Sequence, residues 1–181
     1  VDINVMGTTN LLELASRLPT KRFLYVSSGS IYGERQEPDE VLREDSSPSP
    51  NTLYGATKYA SELLVRRYGE LHGFQSVSVR LSGPYGPMER VSGHRANQSI
   101  LKEWTGKVIR GEPIQVLDRS WRQQFAYVDD VAEGIATVLD AHSLTYDVYN
   151  NSSTLQNTLA EVICVLQELR PGIQIKDIPH G

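Results

Sequence analysis

The chain has 181 residues, 39% of them hydrophobic, with a formal net charge of −4. That length suffices for one domain with a real core. The acidic balance, with basic residues only in pairs such as Lys21-Arg22 and Arg66-Arg67, argues against a nucleic-acid partner. A single cysteine, Cys164, excludes an internal disulfide and a cysteine-rich zinc site. Within the apolar stretch 162–166 it reads as a buried structural thiol. The four histidines, His72, His94, His142 and His180, show no metal-ligand spacing, so no metal is expected. No apolar run is long enough to span a membrane and no signal peptide opens the chain. With one lone thiol, this fits a reducing cytoplasm.

In chain order, apolar residues at Ile3, Met6, Leu11, Leu14, Ala15 and Leu18 predict a helix over 3–18, stopped by Pro19. A chain that opens on Val1, directly inside a helical pattern, points to residues upstream. Phe23-Leu24-Tyr25-Val26 reads as a strand covered on both faces. Residues 27–50, rich in Ser, Pro, Gly and charge, read as a long functional loop. A helix is expected over 52–72, capped by Asn51, with Ala56, Ala60, Leu63, Leu64 and Leu71 on its apolar face. Then come a strand at 76–81, a turn cluster at 83–87, a helix over 96–109 and strands at 114–117 and 124–127. A helix capped by Asp129 or Asp130 runs to Ala141, a strand follows at 146–150, and a last helix, 158–169, ends before Pro171-Gly172. The alternation of strand and helix predicts an α/β fold with parallel strands.

Tyr54-Gly55-Ala56-Thr57-Lys58 places a tyrosine and a lysine on one helix face. A phenol is a poor base at neutral pH, and a neighbouring ammonium favours its phenolate. The pair can then exchange a proton with a substrate hydroxyl. Alone, the spacing equally describes a surface tyrosine beside a solvated lysine. Val26-Ser27-Ser28-Gly29-Ser30-Ile31-Tyr32-Gly33 adds serines at the C-terminal end of a strand, where open α/β sheets bind ligands. The plain structural reading there is a serine-rich turn.

Five motifs together resemble the extended short-chain dehydrogenase/reductase family, the NAD-dependent epimerase/dehydratases. They are Asn4-Val5-x-Gly7-Thr8-x-Asn10-Leu11-Leu12, Ser27-Ser28-x-x-x-Tyr32-Gly33, Tyr54-x-x-x-Lys58, Arg80-Leu81-x-x-Pro84-Tyr85-Gly86-Pro87 and Phe125-x-Tyr127-Val128-Asp129-Asp130-Val131-Ala132. The resemblance implies a partial Rossmann-type doubly wound parallel sheet with a smaller substrate-binding α/β portion. Residues 1–83 would be the C-terminal half of the Rossmann-type domain, and 84–181 mainly the substrate-binding portion, with segments near 125–150 returning to the first. It implies Tyr54 as catalytic acid/base, Lys58 as the nicotinamide-ribose ligand that activates it, Ser28 on the reacting oxygen, and Asn4 completing the tetrad. NAD or NADP would be held by Tyr54, Lys58, Ser27, Pro84 and Tyr85. Substrate would meet Ser28, Ser30, Gly83 and Arg122. The family also pairs two helices across a dimer, here 3–18 and 52–72, which implies a homodimer. The acidic start at Asp129-Asp130 can equally be a simple helix cap.

Three departures shape the expected function. No Gly-x-x-Gly-x-x-Gly occurs among these residues, so the dinucleotide-binding start is expected to be missing and the isolated chain to bind dinucleotide poorly. Ser30 stands where family dehydratases carry an acid, which disfavours elimination. Gly83 replaces a sugar-contacting asparagine, and Gln123 replaces an arginine, with Arg122 beside it as a substitute for contacting a diphosphate. The expectation is an NAD(P)-dependent epimerase acting on a sugar or nucleotide-sugar. A carbonyl reductase with the same residues is the alternative, and a non-catalytic remnant the alternative of another class.

Overall fold

The computed structural model describes residues 1–34, 41–90 and 98–179. The middle of the expected 27–50 loop, the first two residues of the helix expected at 96–109, His94 and His180 lie outside the described residues. The chain divides into two compact units: 1–82 with 131–151, and 83–130 with 152–181.

The first unit opens with a π-helical stretch, Asp2–Gly7, that runs into α1, Thr8–Ser16. Strand β1, Arg22–Ser28, continues two residues further than its apolar run and carries both serines at its C-terminal end. A 3-10 turn, Gly29–Tyr32, follows. Helix α2, Leu53–His72, is capped by Thr52, whose Oγ1 accepts from the Gly55 N–H; Asn51, the expected cap, lies one residue too early. Gly73 ends it with left-handed geometry, which costs glycine little. Strand β2, Gln75–Leu81, pairs parallel with β1 in register Arg22↔Gln75 to Ser28↔Leu81. The core of this unit is Leu12, Tyr25, Val65 and Phe74.

The apolar stripe expected on the first helix lies mostly outward. Ile3, Met6, Leu11, Leu14 and Leu18 are exposed, while Thr8, Leu12 and Ala15 are buried against the unit. On the 3.6-residue wheel these are adjacent sectors, so the helix is apolar around more of its circumference than one sheet can cover. On α2, Ala56 and Leu63 are likewise exposed, with Leu71, and the buried positions are Gly55, Thr57, Ser61, Glu62, Val65 and Gly69.

The second unit starts at the two-residue strand β3, Pro84–Tyr85. Helix α3, Ile100–Arg110, is capped by Ser99 and followed by β4, Ile114–Val116. The single strand expected at 124–127 is two: β5, Arg122–Gln124, and β6, Ala126–Tyr127, which pairs parallel with β3. Helix α4, Val128–Asp140, leads back to the first unit, where β7, Val148–Asn151, pairs parallel with β2 and completes the order β1-β2-β7. Strand β8, Gln156–Thr158, pairs antiparallel with β5. Helix α5, Leu159–Leu169, is set by a reciprocal capping box between Thr158 and Glu161. Strand β9, Ile175–Asp177, pairs with β4. Trp104, Ile114, Val116, Leu159, Ile163 and Leu166 form this unit's core.

Cys164 corrects the expectation of a buried thiol: it is exposed. The inward stripe of α5 is Leu159, Ile163 and Leu166, and the next residue after Ile163 turns about 100° away from it.

Candidate active site

The parallel sheet of the first unit brings Ser27 and Ser28 to the C-terminal end of β1. Ser28 is buried and caps the following turn: its Oγ accepts from the Ser30 N–H at 3.2 Å and donates to the Ser30 Oγ at 3.1 Å. Ser30 is exposed. Ser27 is buried and its hydroxyl has no hydrogen-bond partner among the described residues. The first turn of α2 presses on the same place. A Cβ on Gly55 would lie 2.5 Å from the Ser30 carbonyl oxygen, so only glycine permits the approach. Tyr54, next to it, is half exposed.

One turn along α2, the Lys58 ammonium donates to the Val26 carbonyl at 2.9 Å. It lies 5.9 Å from the centre of the Tyr54 ring and 4.9 Å from that of Tyr25. Burial pulls the Lys58 pKa below the ordinary lysine value, and the Glu62 carboxylate works the other way. Asn4 sits in the π-helical turn, a distortion often found at functional sites. Its amide donates to Thr57 Oγ1 at 3.0 Å, and its carbonyl accepts from Ser61 Oγ at 2.7 Å. Tyr54, Lys58, Ser28 and Ser30 thus lie around the β1 end and the α2 start, while Asn4 is tied to the adjacent face of α2 through Thr57 and Ser61.

Behind this group lies a buried network. Arg80 pairs with Glu62 through Nε–Oε1 at 3.0 Å and Nη2–Oε2 at 2.8 Å, both residues about 95% buried. Its Nη1 donates to the Tyr32 hydroxyl, which donates to Asn150 Oδ1, both at 2.8 Å. Arg80 also reaches the Glu44 carbonyl, and the Glu44 carboxylate accepts from the Asn150 N–H. The segment before α2 is therefore tied to β2 and β7.

In the second unit, Gly83 has φ +59°, and a Cβ there would sit 1.9 Å from the Gln124 carbonyl oxygen. No side chain fits in that conformation, and the Gly83 carbonyl is taken by the Ala126 N–H. Pro84 and Tyr85 form β3. The Tyr85 ring meets Phe125 and Tyr127 edge-on at 6.2 and 5.6 Å. Arg122 is exposed on β5. Tyr85 and Phe125 line one end of a groove of about 630 Å3, whose remaining wall includes Leu101 of α3 and Val162, Val165 and Leu169 of α5.

A family model described as the NAD dependent epimerase/dehydratase family matches residues 1–150. The chain belongs to this family. The UDP-glucuronate 4-epimerase of Thermodesulfobacterium geofontis is 34% identical over 154 residues, 83% of this chain and 44% of that protein. A dTDP-glucose 4,6-dehydratase of Xanthomonas campestris pv. campestris is 30% identical over 178 residues, 92% of this chain and 49% of the relative. The solved structure of the Thermus thermophilus UDP-glucose 4-epimerase in complex with NAD superposes with a TM-score of 0.81 at 28% identity, over 98% of this chain and 58% of that one. The chain thus spans about half the length of the relatives it matches. The Rossmann-type α/β fold is that of the epimerase/dehydratases, whose solved members include NAD complexes.

Three residues packed around this candidate site are not singled out by the motifs. Glu62 stands four residues after Lys58, so Tyr54, Lys58 and Glu62 continue one i, i+4 series that the motif stopped short of. Arg80 was noted only as a motif letter. Tyr25 read as one more apolar strand residue, since nothing in a strand pattern tells which ring will lie under a cation.

Proposed function

We propose that the protein containing this chain is an NAD(P)-dependent epimerase of a sugar or nucleotide-sugar, working by transient oxidation of a hydroxyl. The Tyr54–Lys58 pair beside the Ser28–Ser30 turn carries the reading. NAD or NADP, when bound, supplies the hydride acceptor. The cofactor's nicotinamide-ribose end suits what is present: a half-buried ammonium at Lys58 and, at Ser27, a buried hydroxyl with no partner. The pyrophosphate end has no glycine-rich turn among these residues.

Tyr54 takes the proton of the substrate hydroxyl as the hydride leaves the same carbon, giving a ketone. Ser28, rotating its one O–H away from the Ser30 Oγ, donates a hydrogen bond to that oxygen. Lys58 favours the phenolate through its charge. With the cofactor supplying the hydride to the opposite face of the ketone, Tyr54 would give the proton back, and the net change would be one inverted carbon. Ser30, a hydroxyl where elimination needs a carboxyl group, supports epimerisation over dehydration. The aromatic end of the second unit's groove, of a volume usual for small-molecule sites, supports a substrate-binding role for residues 84–130 and 152–169. The first unit, with residues near 125–150 returning to it, is the catalytic half of the Rossmann-type domain.

The exposed apolar rows of α1 and α2 support a homodimer built on these helices. A single free thiol suits a cytoplasmic setting. Incubation of the full-length protein with NAD and UDP-sugars, followed by product chromatography, tests the function. Inversion without net NADH formation is expected. Stoichiometric NAD(P)H consumption would make it a reductase, and no NADH binding by fluorescence titration would make it a remnant.

A further inference from the structure

The Lys58 ammonium has a closer aromatic neighbour than Tyr54. The Tyr25 ring centre is 4.9 Å from Lys58 Nζ, inside the range of about 6 Å within which a ring face attracts a cation. Tyr25 directly precedes Val26, whose carbonyl accepts from the same ammonium at 2.9 Å. The ring is buried and fixed in the core beside Leu12, Val65 and Phe74. Its hydroxyl is not what holds the lysine, because that oxygen has no hydrogen-bond partner. The other charged group facing Lys58 is Glu62 on α2, and both of its carboxylate oxygens are taken by Arg80 from β2.

We propose that Tyr25 is the positioning residue for Lys58: its ring face and the Val26 carbonyl hold the ammonium charged and in place beside Tyr54. This rests on the reading of Lys58 as the lysine that activates Tyr54. The ring opposes the desolvation that burial imposes on the cation. A buried aliphatic residue at position 25 would fill the core equally well but leave the ammonium without that support.

The test reads the lysine itself, in the full-length protein. Competitive acetylation across pH, followed by mass spectrometry, gives the Lys58 pKa with exposed Lys21, Lys102 and Lys176 as internal references. Tyr25 is replaced by Phe and then by mono-, di- and trifluorophenylalanine, which drain the ring face of negative charge at nearly constant volume. Tyr25→Phe should leave the Lys58 pKa unchanged. The fluorinated series should lower it stepwise, by about 0.5–1 unit in total, a three- to tenfold loss of the charged form's advantage. A flat series overturns the proposal, and so does Tyr25→Phe shifting Lys58 as far as the trifluoro variant. Thermal melts followed by circular dichroism verify that each variant is folded. The measurement needs neither cofactor nor turnover, so a missing epimerase activity sinks the proposed function and leaves this result to stand or fall alone.

Discussion

Tyr54 and Lys58 can be separated experimentally because they fail in different ways. Tyr54→Phe removes the proton acceptor and should lower kcat of the full-length enzyme by about 100- to 10,000-fold, read by product formation, with substrate affinity little changed. Lys58 should show itself in stability as well. Its folded pKa lies below the unfolded one, so the unfolded chain binds more protons between the two values, and stability rises with pH through that window. Below it, folding carries the full cost of a half-buried charge. Lys58→Met should therefore be more stable than the parent at neutral pH, with the advantage shrinking towards the ordinary lysine pKa, as followed by urea unfolding at a series of pH values. Tyr25→Phe removes a buried hydroxyl that has no partner and should gain about 1 kcal/mol in the same assay. Burial pushes that phenol's pKa up, while the hydroxyls of Ser61 and Thr8 oppose the shift without closing a hydrogen bond to it.

At the scale of elements, the site depends on how closely α2 docks on the turn after β1. Gly55→Ala would drive a methyl into the Ser30 carbonyl at 2.5 Å. It should cost roughly 1–3 kcal/mol of stability and separate Tyr54 from Ser28, lowering activity even where the helix itself is intact by circular dichroism. The Glu62–Arg80 pair fixes α2 against β2, and Glu62→Gln leaves the guanidinium unpaired. A loss of about 3–5 kcal/mol is expected by denaturant unfolding. Helix α2 and strand β2 were legible in the sequence because each has a clean period, and β1 because its apolar run is continuous. Strands β3, β8 and β9 were not, since two or three residues carry no period at all. Thr52 rather than Asn51 caps α2 because the cap must sit three residues before the amide it receives, a choice two adjacent capping residues leave open. The grouping of Tyr54 with Lys58 followed from helix spacing. The Tyr25 ring beneath Lys58 did not, because it depends on parallel register and on α2 crossing β1.

For the whole molecule, the periodicity of α1 marks an apolar stripe but not what covers it, since a pattern records hydrophobicity and not the neighbour. Leu14→Glu on α1 or Leu63→Glu on α2 should convert the proposed homodimer to a monomer in analytical ultracentrifugation, with little change in the melting of the first unit. A dimer that persists in both variants would move the interface elsewhere. The second unit offers its own instrument. Its exposed Cys164 is the sequence's lone thiol, and it stands between Val162 and Val165, which line the groove. One maleimide dye therefore attaches at one known point without any engineered change. In the proposed function a nucleotide or sugar ring enters that groove, and the dye's emission would report it, turning an exposed cysteine into a site-specific sensor of occupancy.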